Sequence, residues 1–242
     1  MRARAGLTVE LDDRGHSVIR RLRSAAPLTV MPARDRGGGP AVVRLLNSAA
    51  APLGGDDLEL TVRVGPGARL TLEGVAATLA LPGQRFGPSR CTVRLELAER
   101  AAVAYLPEPT VITGRARHES RLLAELAAGA VLHCREVLVL GRAGERPGRL
   151  SSAIQVVRAG RPVLRQRLEI GDPELDASVA HLAGRRVLGT EILISDADPG
   201  PAAGGDWWSR VPLASSGWVS TALADDVITV MDCLIRARGC GT

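Results

Sequence analysis

Aromatic side chains are nearly absent: one Phe, one Tyr and three Trp make up 2% of 242 residues. Valine, leucine, isoleucine and alanine must therefore fill the core. Single-stranded nucleic acids need aromatic stacking platforms, which this chain hardly supplies. Lysine is missing altogether, so all 31 basic residues are arginine. A GC-rich coding bias is the plain account of that. The functional account is a surface of rigid, multidentate cations for acidic partners. The net charge of +5 raises the question of nucleic acid, but the arginines spread along the whole chain and form no tail or helix face. No nucleic-acid partner is expected. No run approaches the ~18 apolar residues of a membrane helix, so no membrane partner is expected either. The opening, Met1–Gly15, lacks the roughly 7–15-residue apolar region of a secretory signal. Cys91, Cys134, Cys233 and Cys240 show neither CxxC nor disulfide-scaffold spacing, which fits reduced thiols and a cytoplasmic setting.

Alternation is what the chain has in quantity. Leu58, Leu60, Val62 and Val64 share one face of a strand, while Glu59, Thr61 and Arg63 point the other way. Gly65-Pro66-Gly67-Ala68 then turns the chain, and Leu70 and Leu72 resume the pattern. The same layout recurs at Leu97-Ala-Glu-Arg-Ala101, Leu126-Ala-Ala-Gly-Ala130 and, more loosely, Val157-Arg-Ala-Gly-Arg161, at intervals of 33, 29 and 31 residues. A period near thirty, built from two-strand units, marks stacked β layers in which each unit buries its apolar face against the next. The expected fold is mainly β: a layered, β-solenoid or β-helix-like scaffold of stacked strand pairs forming a single domain over residues 1–242.

Residues 5–24 read as two short strands, Leu7–Leu11 and Ser17–Leu22. Arg34–Pro40 is a flexible connection without the Gly-Lys-Ser/Thr of a phosphate loop. Val42–Leu46 is a short strand, and 58–72, 90–106, 119–140, 150–170 and 185–195 give successive strand pairs. Arg63, Arg94 and Arg165 fall on polar strand positions and read as a solvated face. Asp196–Asp206 is too polar and glycine-rich for regular structure and is expected to be a flexible loop. The tail differs in kind. Ser220 reads as the cap of one C-terminal helix over about 220–238, with an apolar stripe of Ala222, Val227, Val230, Met231, Leu234 and Ile235 and with Gly239 as its stop. That helix either packs on the sheet or serves for docking.

Enzyme motifs fail one after another. Ala214-Ser-Ser-Gly217 lacks the first glycine of a nucleophile elbow, and Gly141, Gly144 and Gly148 are misplaced for a dinucleotide loop. His118-Glu119 begins like a zinc-binding HExxH, but Leu122 stands at the second histidine. No enzymatic activity is expected. His133 and Cys134 are strand neighbours and face opposite sides, so only a bulge would offer both to one ion. Glu136 shares its face with Leu132, Cys134, Leu138 and Leu140, and a carboxylate there needs a partner or water. One reading is an ion pair with an arginine. The other is a polar lining inside the fold that hands along a divalent cation, with ligands suited to transient nickel.

Leu53-Gly-Gly-Asp56, Val64-Gly-Pro-Gly-Ala68, Val75-Ala-Ala-Thr78, Tyr105-Leu-Pro-Glu-Pro-Thr110, Leu140-Gly-Arg-Ala-Gly-Glu145 and the Arg-rich strand Arg161–Gly171, in this order, resemble the urease accessory protein UreD (UreH) family. The resemblance implies a non-enzymatic scaffold that binds apo-urease, recruits a UreF-type accessory protein and a UreG-type GTPase, and supports nickel insertion. It implies no permanently bound cofactor, only nickel in transit through an internal passage. Under it, Glu108, His118, Glu119, Glu136 and Glu145 are expected along the passage. Gly54, Gly55, Asp56 and Gly67 are expected to set turn geometry. Trp207, Trp208, Val227, Met231 and Leu234 are expected at a partner interface. The alternative is a basic β-solenoid adaptor for another enzyme, without a metal role.

Overall fold

The computed structural model describes residues 1–33, 38–214 and 217–239. The connection expected at 34–40 lies partly outside them, as do Ser215, Ser216 and Cys240. β1 (Arg2–Leu11) and β2 (Ser17–Arg23) form an antiparallel hairpin, and β3 (Leu28–Pro32) and β4 (Ala41–Asn47) form a second. From β5 (Asp57–Val64) onward the chain coils. β5 lies parallel to β1 in one sheet, and β6 (Arg69–Gly74) lies parallel to β4 in the other. After a short β7 (Thr78–Ala80), the next coil places β8 (Ser89–Leu97) on β5 and β9 (Ala102–Leu106) on β6. After β10 (Thr110–Ile112), β11 (Arg117–Leu126) and β12 (Val131–Leu140) repeat the step, and β13 (Arg149–Arg158) follows on β11. The result is a β-solenoid of about four turns, each giving one strand to each of two facing sheets.

The sequence repeat is the stacking register. Val64 pairs with Leu97, and Leu97 with Leu126, across parallel neighbours. The corner after each has one plan. Gly67, Arg100 and Gly129 adopt positive φ of 68°, 54° and 68°, and Ala68, Ala101 and Ala130 follow, fully buried. In the first corner Pro66 and Gly67 occupy the two central positions of a type II turn, where proline presets φ and glycine accepts the left-handed conformation. The fourth repeat is different. Arg158, not Val157, stands opposite Leu126. Ala159 and Gly160 both take positive φ, which reverses the chain into an antiparallel hairpin with β14 (Arg161–Ile170) and ends the coiling.

The remaining chain closes the second sheet. Asp172 caps α1 (Pro173–Ala177), an element the sequence pattern did not announce. β15 (Val187–Ile194) then runs antiparallel to β12, followed by β16 (Ala203–Gly205), β17 (Trp208–Pro212) and β18 (Trp218–Ala224) in the order β16-β17-β18-β15-β12. The expected 196–206 loop therefore contains a short strand. The expected helix starts later than Ser220. Residues 218–224 alternate between buried and half-buried and pair with strands on both sides, so they belong to β18. α2 (Val227–Gly239) begins at Asp226, whose carboxylate accepts the Thr229 backbone N–H at 2.8 Å. Among the described residues no helix is long and apolar enough to cross a membrane.

The outer face of the seven-stranded sheet is a lattice of ion pairs, including Arg4–Asp57 at 2.7 Å, Arg63–Glu96 at 2.7 Å and Arg94–Glu59 at 3.4 Å. The inner faces build two large apolar clusters, beside a small one of Ala3, Ala51 and Leu58. One holds Leu60, Leu70, Leu95, Leu122, Leu132 and Ile154, and the other holds Ile112, Leu138, Leu140, Leu150 and Ile170. A belt of polar side chains separates them.

Candidate functional site

The polar belt follows from where apolar alternation is interrupted. On β12 the inward sequence is Leu132, Cys134, Glu136, Leu138, Leu140. On β13 it is Leu150, Ser152, Ile154, and on β11 it is His118, Ser120, Leu122. Register places Cys91, Ser120 and Ser152 in one row across the facing sheet. Glu136 reaches over to that row and accepts hydrogen bonds from Ser152 Oγ at 3.0 Å and Ser120 Oγ at 3.3 Å. Neither serine is charged, and the described residues give Glu136 no ion pair. Of the two expectations for Glu136, an arginine partner is thus replaced by hydroxyl partners in a polar lining. Burial pushes its carboxyl above the ordinary carboxylate range, and the serine hydrogen bonds oppose that shift.

An internal cavity of ≈130 Å³ occupies the belt, with Tyr105, Glu108, His118, Ser120, Cys134 and Glu136 among its walls. Glu136 and Tyr105 keep accessible surface although protein surrounds them, because that surface faces the cavity. Burial raises the Cys91 thiol to about 12 and pushes Cys134 up as well, so both line the cavity as neutral thiols. His118 is 5% exposed. Its Nδ1 lies 2.9 Å from Ser89 Oγ, and burial lowers its pKa to about 4, which keeps the imidazole neutral.

The wall of the cavity has a gap. β12 pairs with β9 through residues 131–134 and with β10 through 138–140. Residues 135–137 thus lie between two partners and pair with neither on that side. The break has a covalent cause. Pro107 and Pro109 cannot donate to a ladder, and they flank Glu108, which bulges over Gly74. A Cβ at Gly74 would overlap the Glu108 backbone. Exposed Ala76 and Glu108 form the rim of this window, and Glu136 stands behind it.

The other passage candidates lie elsewhere. Glu119 points outward from β11 into ion pairs with Arg90 at 2.9 Å and Arg121 at 3.2 Å. Glu145 sits in the turn after β12, paired with Arg142 at 3.1 Å, and that contact lowers its pKa to about 2. Glu108, His118 and Glu136 therefore share one cavity, and Glu119 and Glu145 do not. Among the described residues no three His, Cys, Asp or Glu side chains gather in a form able to hold a metal ion.

The turn candidates form a separate structure. Gly55 has φ 82° and Gly67 has φ 68°, and Gly54 lies so close to Gly83 that a Cβ would meet its backbone. Asp56, 5% exposed, accepts the Leu53 N–H at 2.9 Å and the Met1 ammonium at 2.5 Å. At the interface candidates, Trp207 is 46% exposed with the Arg185 guanidinium 4.1 Å over its ring, while Trp208 packs inward. Val227, Met231 and Leu234 face the sheet with Val230, so that stripe is already occupied within the chain. The apolar side chains that α2 shows outward are Ile228 and Ile235.

Glu191 escaped the sequence reading. It is fully buried on β15, 2.6 Å from His133 Nε2 and 2.5 Å from Arg238 Nη2. Arg238, in the last turn of α2, thereby ties the helix to the sheet. The available signal was Val187-Leu-Gly-Thr-Glu-Ile-Leu-Ile194, whose apolar residues on both faces mark a strand covered on both sides.

The fold is thus a two-sheet β-solenoid closed by antiparallel strands, with a polar cavity between apolar clusters. Comparison with known proteins gives the family. The family model described as UreD urease accessory protein matches residues 2–239. Urease accessory protein UreD 1 of Saccharopolyspora erythraea is 53% identical over 99% of this chain and 95% of its own length. Urease accessory protein UreD of a Parafrankia species is 41% identical over 95% of this chain and 85% of its own. The Streptomyces coelicolor protein of that name is 39% identical over 94% and 92% respectively. The chain belongs to the UreD family of urease accessory proteins, and its role lies in urease maturation.

Proposed function

We propose that this chain is a non-enzymatic scaffold for nickel insertion into urease. One surface binds apo-urease, and another recruits a UreF-type accessory protein and, through it, a UreG-type GTPase. Nickel is the cargo and is not retained. It passes through the interior by way of Glu108 at the window and Glu136 and His118 on the cavity wall, with Glu119 and Glu145 outside that route. The observation that carries this reading is the Glu136 carboxylate, held inside the sandwich on two serine hydroxyls directly behind a gap in the sheet. A carboxylate among apolar strands costs stability that an apolar residue would not, and a route for a cation gives it a use. Carboxylate and neutral imidazole suit a divalent cation in transit better than a closed thiolate cage does.

The test is to express urease with and without the chain, supply nickel, and measure metal per urease active site. Nickel-poor urease only when the chain is omitted is the expected result. Equal loading in both samples would remove the nickel role.

A further inference from the structure

α2 carries two apolar stripes, and the fold uses one of them. Val227, Val230, Met231 and Leu234 pack on the sheet. The other stripe is Ile228 and Ile235, 76% and 55% exposed, with exposed Asp232 between them at the helical spacing i, i+4, i+7. A surface helix ordinarily turns polar residues to that side. Beside this ridge runs an open groove of ≈510 Å³, walled by Thr229, Cys233 and Arg236 of α2 and by Asp206 and Trp207 of the β16–β17 turn. Trp207 is held at φ 109°, a conformation that residues other than glycine rarely adopt. The Arg185 guanidinium lies 4.1 Å over its ring and pairs with Asp225 at 2.5 Å. The groove therefore has a fixed, half-exposed aromatic plate on one margin and the isoleucine ridge on the other.

The charge of this corner runs against that of the chain. The whole sequence is at +5, whereas groove and ridge together show Asp206, Asp225, Asp226 and Asp232 against Arg185 and Arg236. Arg185 neutralises Asp225, and Asp226 is spent on capping α2. Among the described residues Asp206 and Asp232 have no hydrogen-bond or ion-pair partner. A second copy of the chain does not suit the ridge. A two-fold contact that laid Ile228 of each copy on Ile235 of the other would centre its axis on Asp232 and press that carboxylate against its own image. Such like-charge juxtaposition opposes association.

We infer that the outward face of α2, with Trp207, docks an amphipathic helix of a different protein. Two apolar side chains of that helix lie on Ile228 and Ile235, and an arginine or lysine between them meets Asp232. Helical recognition anchors side chains at this spacing, and a rigid tryptophan beside apolar anchors is the makeup of an interface hot spot. The inference rests on the reading above only in that the chain binds other proteins, and it needs no nickel passage. It adds the place of one such surface and the chemistry of what sits on it.

The test co-expresses the full-length chain with apo-urease and with the UreF-type protein, singly and together, and quantifies how much of each is recovered on the chain. Asp232→Arg lowers recovery of one of the two ~10-fold, because a like-charge contact replaces a pair. Asp232→Glu keeps it, and both variants melt with the natural chain. A photo-cross-linker in place of Ile235 joins that same partner on a helix. Glutamate in place of the basic residue nearest the cross-link then restores recovery by Asp232→Arg. Full recovery of both proteins by Asp232→Arg would overturn the inference and leave the scaffold reading standing. No recovery of either protein by the natural chain would remove the scaffold reading and this surface with it. Loss with Asp232→Glu as well, or a cross-link to a segment without a basic residue, would overturn the charge pairing. Cross-linking of the chain to itself would give the face to a second copy and overturn the inference. Should Asp232→Arg fail to fold, Asp232→Asn and the cross-link decide by the same readouts.

Discussion

The carboxylate of Glu136 and the hydroxyl of Ser152 meet at 3.0 Å across the interior, joining the two sheets where the apolar core is interrupted. The pair separates a structural role from a transport role. Glutamine at 136 keeps an acceptor for both serines and removes a charge that burial disfavours. Glu136→Gln is expected to melt at the same temperature as the natural chain or higher, while urease nickel content falls roughly tenfold. Parallel thermal melts and metal analysis check this. Loss of stability with normal loading would make Glu136 a structural residue only.

Acid should weaken the fold through His118. Its folded pKa is lowered to about 4 from 6.5, so between those values the unfolded chain binds the proton and the folded chain does not. Stability is therefore lost as pH falls from about 6.5 toward 4, by up to ~3 kcal/mol from this residue. Glu136 acts with the opposite sign, because its raised carboxyl binds a proton more readily when folded. Denaturant unfolding at stepped pH, compared with His118→Gln, isolates the histidine part as the slope that the variant lacks.

α2 should be stabilised by its inward stripe and indifferent to its outward one. Leu234 is 1% exposed and Ile235 is 55% exposed. Leu234→Ala is expected to cost ~2–5 kcal/mol and Ile235→Ala less than ~0.5 kcal/mol. Equal effects in urea unfolding would mean that the helix does not pack as described. If the outward side chains serve a partner, Ile228→Ala and Ile235→Ala should weaken co-purification with that partner and leave the melt unchanged.

Arg238→Ala removes one of the two partners of fully buried Glu191. A cost of ~1.5–3 kcal/mol is expected, the range for a hydrogen bond to a charged group. Loosening should appear first as faster amide exchange in the last turn of α2. Uniform exchange along the helix would contradict a latch at its C-terminal end.

Gly67, Arg100 and Gly129 occupy one corner position in successive coils. Gly67→Ala is expected to lose ~1–2 kcal/mol because the left-handed conformation opposes a Cβ. Arg100→Gly should be neutral or slightly stabilising. The two urea midpoints test whether the corners are equivalent.

The coil register was legible because Val64, Leu97 and Leu126 repeat at the spacing of the fold itself. The end of the coiling was not. Val157-Arg-Ala-Gly-Arg161 has the composition of another corner, and only two successive positive φ values make it a hairpin. Ser220 resembled a helix cap because a polar residue precedes an apolar run, but pairing on both sides of residues 218–224 overrode that local signal. Glu136 was readable from its apolar neighbours. Its serine partners lie sixteen residues away on either side along the chain and meet it only through the stacking. The window was hidden because its cause, two prolines opposite one glycine, acts across neighbouring coils.

The two outermost strands of the seven-stranded sheet are β2 and β14, and each shows three exposed arginines: 20, 21 and 23 on one, 161, 165 and 167 on the other. An open strand edge is a template for adding a foreign chain. Two copies of this molecule approaching edge to edge would bring guanidinium against guanidinium, and Pro162 removes a donor at one margin. Charged side chains and proline at a sheet margin are the devices by which an edge strand resists such pairing, so the arginines of β2 and β14 stand where a solenoid needs its ends kept from stacking.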